Sequence, residues 1–205
     1  MRSRTLVFLL CALCVAAAAP SATNSPAAVA AAAAQGGRQY VQGTMVGIGG
    51  RWSGRSLPFN LIVNNYTSPD DVDRLNQALR SGGQDELLRS LSRLNAGRIS
   101  IGNNVGVTAN AVISTPAAEG GTKLTVIYER NVNIYELRAG ARSADYRFGY
   151  AEIFLDGRGR GEGTLIPAAK VRLEGSNTWV VEDFGVFPAR LMGLRARGAA
   201  GGVAR

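Results

Sequence analysis

Apolar side chains recur at every second position through much of the chain, the spacing of strands with one buried face. Val41, Thr44, Val46 and Ile48 run up to a turn signal at Gly49-Gly50. Leu57, Phe59, Leu61 and Val63 then alternate with Ser56, Asn60, Ile62 and Asn64, and Pro58 marks a strand start or an edge. From Arg98 onward the same spacing returns. Ile99 and Ile101 lead to a turn at Gly102-Asn103-Asn104, and Val105, Val107, Ala109 and Ala111 alternate after it. Leu124, Val126 and Tyr128 follow a turn at Glu119-Gly120-Gly121, with Val132 and Ile134 beyond. Phe148, Tyr150, Glu152 and Phe154 share one face of a strand, and Gly149, Ala151, Ile153 and Leu155 share the other. Leu165 to Leu173, Trp179 to Phe184 and Val186 to Leu194 complete the set.

Only one region has helical spacing. Ser68 is an N-cap residue, Pro69 suits the first helical position, and Asp70 and Asp71 carry negative charge in the first turn. Val72, Leu75 and Leu79 follow on one face. Gly82-Gly83 interrupts the pattern, and Leu87, Leu88, Leu91 and Leu94 resume it until Ala96-Gly97. The expected architecture is therefore α+β: seven to nine antiparallel strands in a meander, curled into a sandwich or a partly open barrel. A two-helix hairpin is inserted after the second strand.

The ends of the chain read differently. Arg2 and Arg4 precede an apolar run from Leu6 to Ala19, followed by small residues, which is the order of a secretory signal peptide over 1–19. Cleavage sites as late as Ala27 or Ala34 are also compatible. Residues 20–38 form an Ala/Pro-rich linker with too few bulky side chains to offset chain entropy. The globular unit is expected over 39–196, with a flexible tail over 197–205. Localisation is then periplasmic or extracellular.

Composition narrows the chemistry. The chain has 205 residues, no histidine, and its two cysteines, Cys11 and Cys14, fall in the leader. A His-dependent triad, a Cys nucleophile in the mature chain and Cys/His zinc sites are excluded. No cofactor and no metal site are expected. Lys plus Arg number 23 against 15 Asp plus Glu, a net charge of +8. An anionic polymer or lipid could contact Arg158, Arg160, Arg190, Arg195 and Arg197 by charge attraction; no motif points to nucleic acid. Gly157-Arg-Gly-Arg-Gly161-Glu-Gly163 is no phosphate loop, because a strand containing Pro167 follows it instead of a helix. It reads as a flexible hairpin tip.

Two site hypotheses follow from the strand faces. The aromatic side chains Phe148, Tyr150, Phe154 and Trp179 would line a pocket for an apolar ligand, the alternative being plain core. Glu152 with Glu136 or Asp145 would supply an acid and a base for hydrolysis of an envelope polymer, the alternative being pairing with arginine. The segments Ser143–Gly149, Gly159–Ala169, Glu182-Asp183-Phe184 and Pro188 before Leu191, with Gly83-Gln84-Asp85 and Gly97-Arg98-Ile99, resemble a group of uncharacterised exported bacterial proteins over about 40–195. The resemblance implies export and a single domain and transfers no functional residue. The sequence reading is of an exported, non-enzymatic protein that binds an apolar ligand or an envelope partner. A carboxylate-dependent hydrolase and a structural subunit of an envelope assembly are its rivals.

Overall fold

The computed structural model describes residues 37–48, 53–117, 120–131, 145–175, 178–183 and 188–198. The expected leader, the expected linker up to residue 36, Glu136 and residues 199–205 lie outside them. The strands are β1 (Gln39–Val46), β2 (Ser56–Val63), β3 (Gly97–Ile101), β4 (Val107–Ala109), β5 (Ala111–Pro116), β6 (Thr122–Glu129), β7 (Phe148–Leu155), β8 (Arg160–Glu174), β9 (Thr178–Asp183) and β10 (Ala189–Gly198). The helix α1 spans Pro69–Leu91.

All ten strands belong to one antiparallel sheet in the order β4-β3-β2-β1-β10-β8-β7-β6-β5, with β9 beside β8. It is not a simple meander, because the first strand pairs with the last: Tyr40 lies opposite Arg197 and Gln42 opposite Arg195. The hydrogen-bonded path stays open. Its two ends, β4 and β5, are consecutive in the chain with only Asn110 between them.

One face of the sheet curls around the main core. Val41, Phe59, Leu61, Ile99, Val112, Leu124, Val126, Ile153, Leu165 and Leu191 come from eight different strands, yet they belong to one cluster. Only a sheet that bends back on itself brings such distant strands together. Most of these side chains have no accessible surface. A side chain in that state touches neither solvent nor any void that admits a water molecule, so the interior is filled rather than hollow.

The helix covers part of the opposite face. Leu75, Leu79, Leu87 and Leu91 pack on Ala111, Ile127, Phe148 and Val171. The N-terminal signals act as expected: the Ser68 side chain accepts the Asp71 backbone N–H at 3.1 Å. The two-helix hairpin is corrected to a single kinked helix of 23 residues. A helical hairpin needs a connecting loop of several residues. Here Gly83 alone departs from helical geometry, at φ 61° and ψ −142°. The bend is sharp: Asp71 and Leu75 of the first half line the same small cleft as Ser90, Arg93 and Leu94.

Gln84, the residue after the kink, turns the bend to use. Its amide nitrogen donates to the Val171 carbonyl and its oxygen accepts the Val171 N–H at 3.2 Å. The side chain thus replaces a neighbouring strand where β7 has ended. Trp179 of β9 adds a second tie, its indole N–H donating to the buried Asn76 at 2.5 Å.

Several glycines serve close approach rather than flexibility. The turn after β7 is confined to Asp156–Gly159, and Gly161 and Gly163 are strand residues of β8. A Cβ on Gly161 would lie 1.7 Å from the Phe154 carbonyl oxygen, and one on Gly163 would lie 2.4 Å from that of Glu152. The flexible tip is therefore shorter than the glycine pattern suggests. Pro167 sits where the β7–β8 register shifts between Tyr150–Ile166 and Phe148–Ala169, a position that tolerates a missing donor.

Candidate functional site

A cleft lies beside the break in the sheet path. Gly102 and Gly106, at φ 70° and 84°, turn the chain between β3 and β4. A Cβ on Gly106 would meet the Ile99 carbonyl oxygen at 2.4 Å, so the turn presses against its own strand. The Arg98 guanidinium donates to the Val105 carbonyl at 3.2 Å, and the Gly102 N–H donates to the Pro58 carbonyl at 2.7 Å. These bonds hold the tip in place. Val105 is consequently not the first residue of a strand, as the alternation suggested, but a turn residue with 83% of its surface exposed.

Asn110 fastens the seam from behind. Its amide nitrogen donates to the carbonyls of Leu91 and Leu94 at 3.0 and 3.3 Å, and its oxygen accepts the Glu129 N–H at 2.9 Å. One buried side chain therefore joins the helix C-terminus, the β4–β5 junction and the end of β6. Farther along, the Arg130 N–H donates to the Arg147 carbonyl at 3.0 Å.

Between β4 and the end of β6 lies a cleft with two lobes. The polar lobe holds about 500 Å³ and is lined by Asn95, Arg98, Thr108, Asn110, Glu129 and Asn131 among others. The second lobe holds about 370 Å³ and is more apolar, with Ile99, Ile101, Val105, Val107 and Tyr128 in its wall. Gly106, Val107 and Asn131 belong to both lobes. A cation, an anion and three amides line one end and branched side chains the other. The arrangement suits a ligand with one polar and one apolar part. Burial pushes the Tyr128 hydroxyl up to about 12, against a smaller lowering by the nearby Arg130 charge, so the phenol stays neutral.

The chain matches no protein-family model, and no curated protein or solved structure is similar to it. The reading of the site therefore rests on its own geometry.

The aromatic side chains expected to line a pocket are divided. Phe148, Tyr150 and Trp179 pack in the cluster beneath α1, and Phe148 has no exposed surface. Phe154 stands apart, 44% exposed, with the Lys123 ammonium 5.6 Å from its ring centre. Neither lobe of the cleft includes any of the four.

The carboxylates are similarly dispersed. Glu152 is engaged by Lys123 and accepts the Tyr150 hydroxyl at 3.4 Å. Burial, and next the Glu152 charge, raise the Tyr150 phenol to about 12. Asp145 is exposed beside the start of β7, and Glu136 lies outside the described residues. Glu182 pairs with Arg172 and accepts the Tyr146 hydroxyl at 2.8 Å. Asp156 accepts the backbone N–H groups of Arg158 and Arg160, each at 2.8 Å. Those bonds, the one from Arg160 first, hold its carboxyl below the usual range. Among the described residues no three acidic side chains converge as a metal ion would require.

The sequence reading missed the cleft. Its one local signal was a lone valine between Asn104 and Gly106, a turn context in which an apolar side chain has no core to reach.

Proposed function

We propose that this is an exported protein that acts by binding, and that it takes an amphipathic ligand, or an amphipathic segment of an envelope partner, into the seam cleft. The carrying observation is the two-lobed cleft with Val105, 83% exposed, standing at its apolar end. The filled interior argues against a carrier that encloses its ligand within the curled sheet. Export rests on the charged, then apolar, then small-residue order at the N-terminus. Hydrolysis by Glu152 is less well supported, since both Lys123 and Tyr150 already engage that carboxylate.

Native mass spectrometry of the protein exported by a bacterial host tests this reading. The expected result is a non-covalent adduct that is retained by Met192→Asp and lost by Val105→Asp. Met192 is an exposed control on β10 that lines neither lobe of the cleft. An adduct that survives Val105→Asp, or a bare mass for the wild type, would overturn the assignment.

A further inference from the structure

Acidic residues are distributed unevenly along the chain. None precedes Asp70, none falls between Glu86 and Glu119, and none follows Asp183. The fold brings these three stretches side by side. β1 and β2 come from the first, β3 and β4 from the second and β10 from the third, and they are consecutive in the sheet as β4-β3-β2-β1-β10. Five neighbouring strands thus carry no carboxylate.

The outward positions of this half are basic and amide-bearing. Tyr40 lies opposite both Ile62 and Arg197, and Ile62 lies opposite Arg98, which sets Arg98 and Arg197 in one row. That row spans about 14 Å at the usual strand spacing. In the next row Gln42 lies opposite Asn60 and Arg195. Gln42 donates to the Asn60 side-chain oxygen at 3.2 Å, and Arg38 donates to Asn64 at 3.0 Å. Arg38, Arg98, Arg195 and Arg197 are exposed, and none has an acidic partner among the described residues. Arg160, also beside Arg195, differs in being paired with Asp156 at 3.6 Å.

We propose that the outer face of β1, β2, β3 and β10 binds an acidic polysaccharide. Arg38, Arg98, Arg195 and Arg197 would pair with its carboxylates, and Gln42 and Asn60 with its hydroxyls. Guanidinium forks match carboxylates, and side-chain amides offer both donors and acceptors to sugar hydroxyls. Neither row carries an exposed large apolar side chain, and the one on these four strands, Met192 opposite Thr44, stands alone rather than in a wedge that would enter a bilayer. Their one aromatic side chain, Tyr40, is half-buried and offers no series of stacking platforms for bases. This surface is separate from the seam cleft apart from Arg98, so the test uses the two β10 arginines.

The test is retention of the full exported chain on immobilised polygalacturonate at low and rising salt, against neutral dextran. The expected result is salt-sensitive retention on polygalacturonate only, weakened about tenfold in Arg195→Gln/Arg197→Gln. The pair Arg74→Gln/Arg89→Gln on α1 removes the same net charge elsewhere and should retain binding. Val105→Asp should also retain it, which separates this surface from the cleft. Equal weakening by the helix pair would reduce the effect to net charge and overturn the proposal. So would absence of retention at low salt, or equal affinity for anionic vesicles or duplex DNA. Circular dichroism melts confirm that both double variants fold.

Discussion

Replacing Asn110 tests whether one side chain holds the seam of the sheet. It is 6% exposed and makes three hydrogen bonds to the backbone, at 3.0, 3.3 and 2.9 Å. Each such bond contributes about 1 kcal/mol net, and backbone groups left buried without a partner cost more. Asn110→Leu keeps the branched outline of the side chain and removes all three bonds, so the expected loss is about 3 kcal/mol. For a domain of this size that lowers Tm by about 6–12 °C. Asn110→Asp sharpens the test. Its carboxylate can still accept from the Glu129 N–H but turns an anionic oxygen towards the Leu91 and Leu94 carbonyls. It should therefore cost more than leucine at neutral pH. Burial beside two carbonyls raises that carboxyl above its unfolded value. Part of the loss should therefore return as the pH falls from neutrality, a recovery complete by about pH 4, where the protonated acid is again a donor. Urea titration followed by circular dichroism measures both. An Asn110→Leu midpoint equal to wild type, or an aspartate variant no worse than the leucine one, would refute the clasp.

Gly149→Ala would place a Cβ 2.0 Å from the Tyr128 ring, so a loss of about 3 kcal/mol is expected. Truncating Tyr128 to Ala in the same chain should recover part of it, a non-additivity readable from urea midpoints. Tyr128 and Tyr150 should ionise near pH 12 in an ultraviolet titration of the folded protein. Both pKa values are raised by folding, so the stability they confer is complete below about pH 10 and is lost as the pH rises towards 12. Thermal melts from pH 9 to 12 should fall across that window, and less steeply in Tyr128→Phe. Gln84→Glu keeps the acceptor for the Val171 N–H but loses the donor to its carbonyl, which should cost about 1–2 kcal/mol in a denaturant melt.

Local features of the fold were legible where local physics decides them. The helix start at Ser68–Asp71 follows from capping and charge, and the two faces of β7 follow from period-two alternation. The break at Gly82-Gly83 was visible, but its consequence was not: composition cannot distinguish a one-residue kink from a connecting loop. Gly161 and Gly163 looked like a mobile tip because glycine permits both freedom and close contact, and only the β7 backbone opposite them selects the second. Asn110 was hidden for a similar reason. It sits between Ala109 and Ala111 in an alternating run, and its partners lie 16 to 19 residues away. Of the four aromatic side chains, Phe148, Tyr150 and Trp179 lie under the helix and Phe154 does not, a division set by contacts with α1 that no periodicity encodes.

The basic outer surface depends on a defect in strand pairing. Register between β1 and β10 shifts between Gln42–Arg195 and Thr44–Met192, where Gly193 adopts φ 60°. An extra residue in a strand reverses which face every later side chain meets. Leu191 points inward before the bulge, and Leu194 points inward after it, although an uninterrupted strand would place them on opposite faces. The same shift sends Arg195 and Arg197 outward. Without it both guanidinium groups would face the packed interior near Leu61, where an unpaired charge cannot be accommodated. Gly43 makes room for the bulge, since a Cβ there would lie 2.6 Å from Leu194 and 2.8 Å from the Met192 carbonyl oxygen. Two glycines far apart in sequence, Gly43 and Gly193, thus decide both how β10 completes the core and which charges the protein presents outside. The filled interior and the basic face are two results of one register, so a change at either glycine should disturb both.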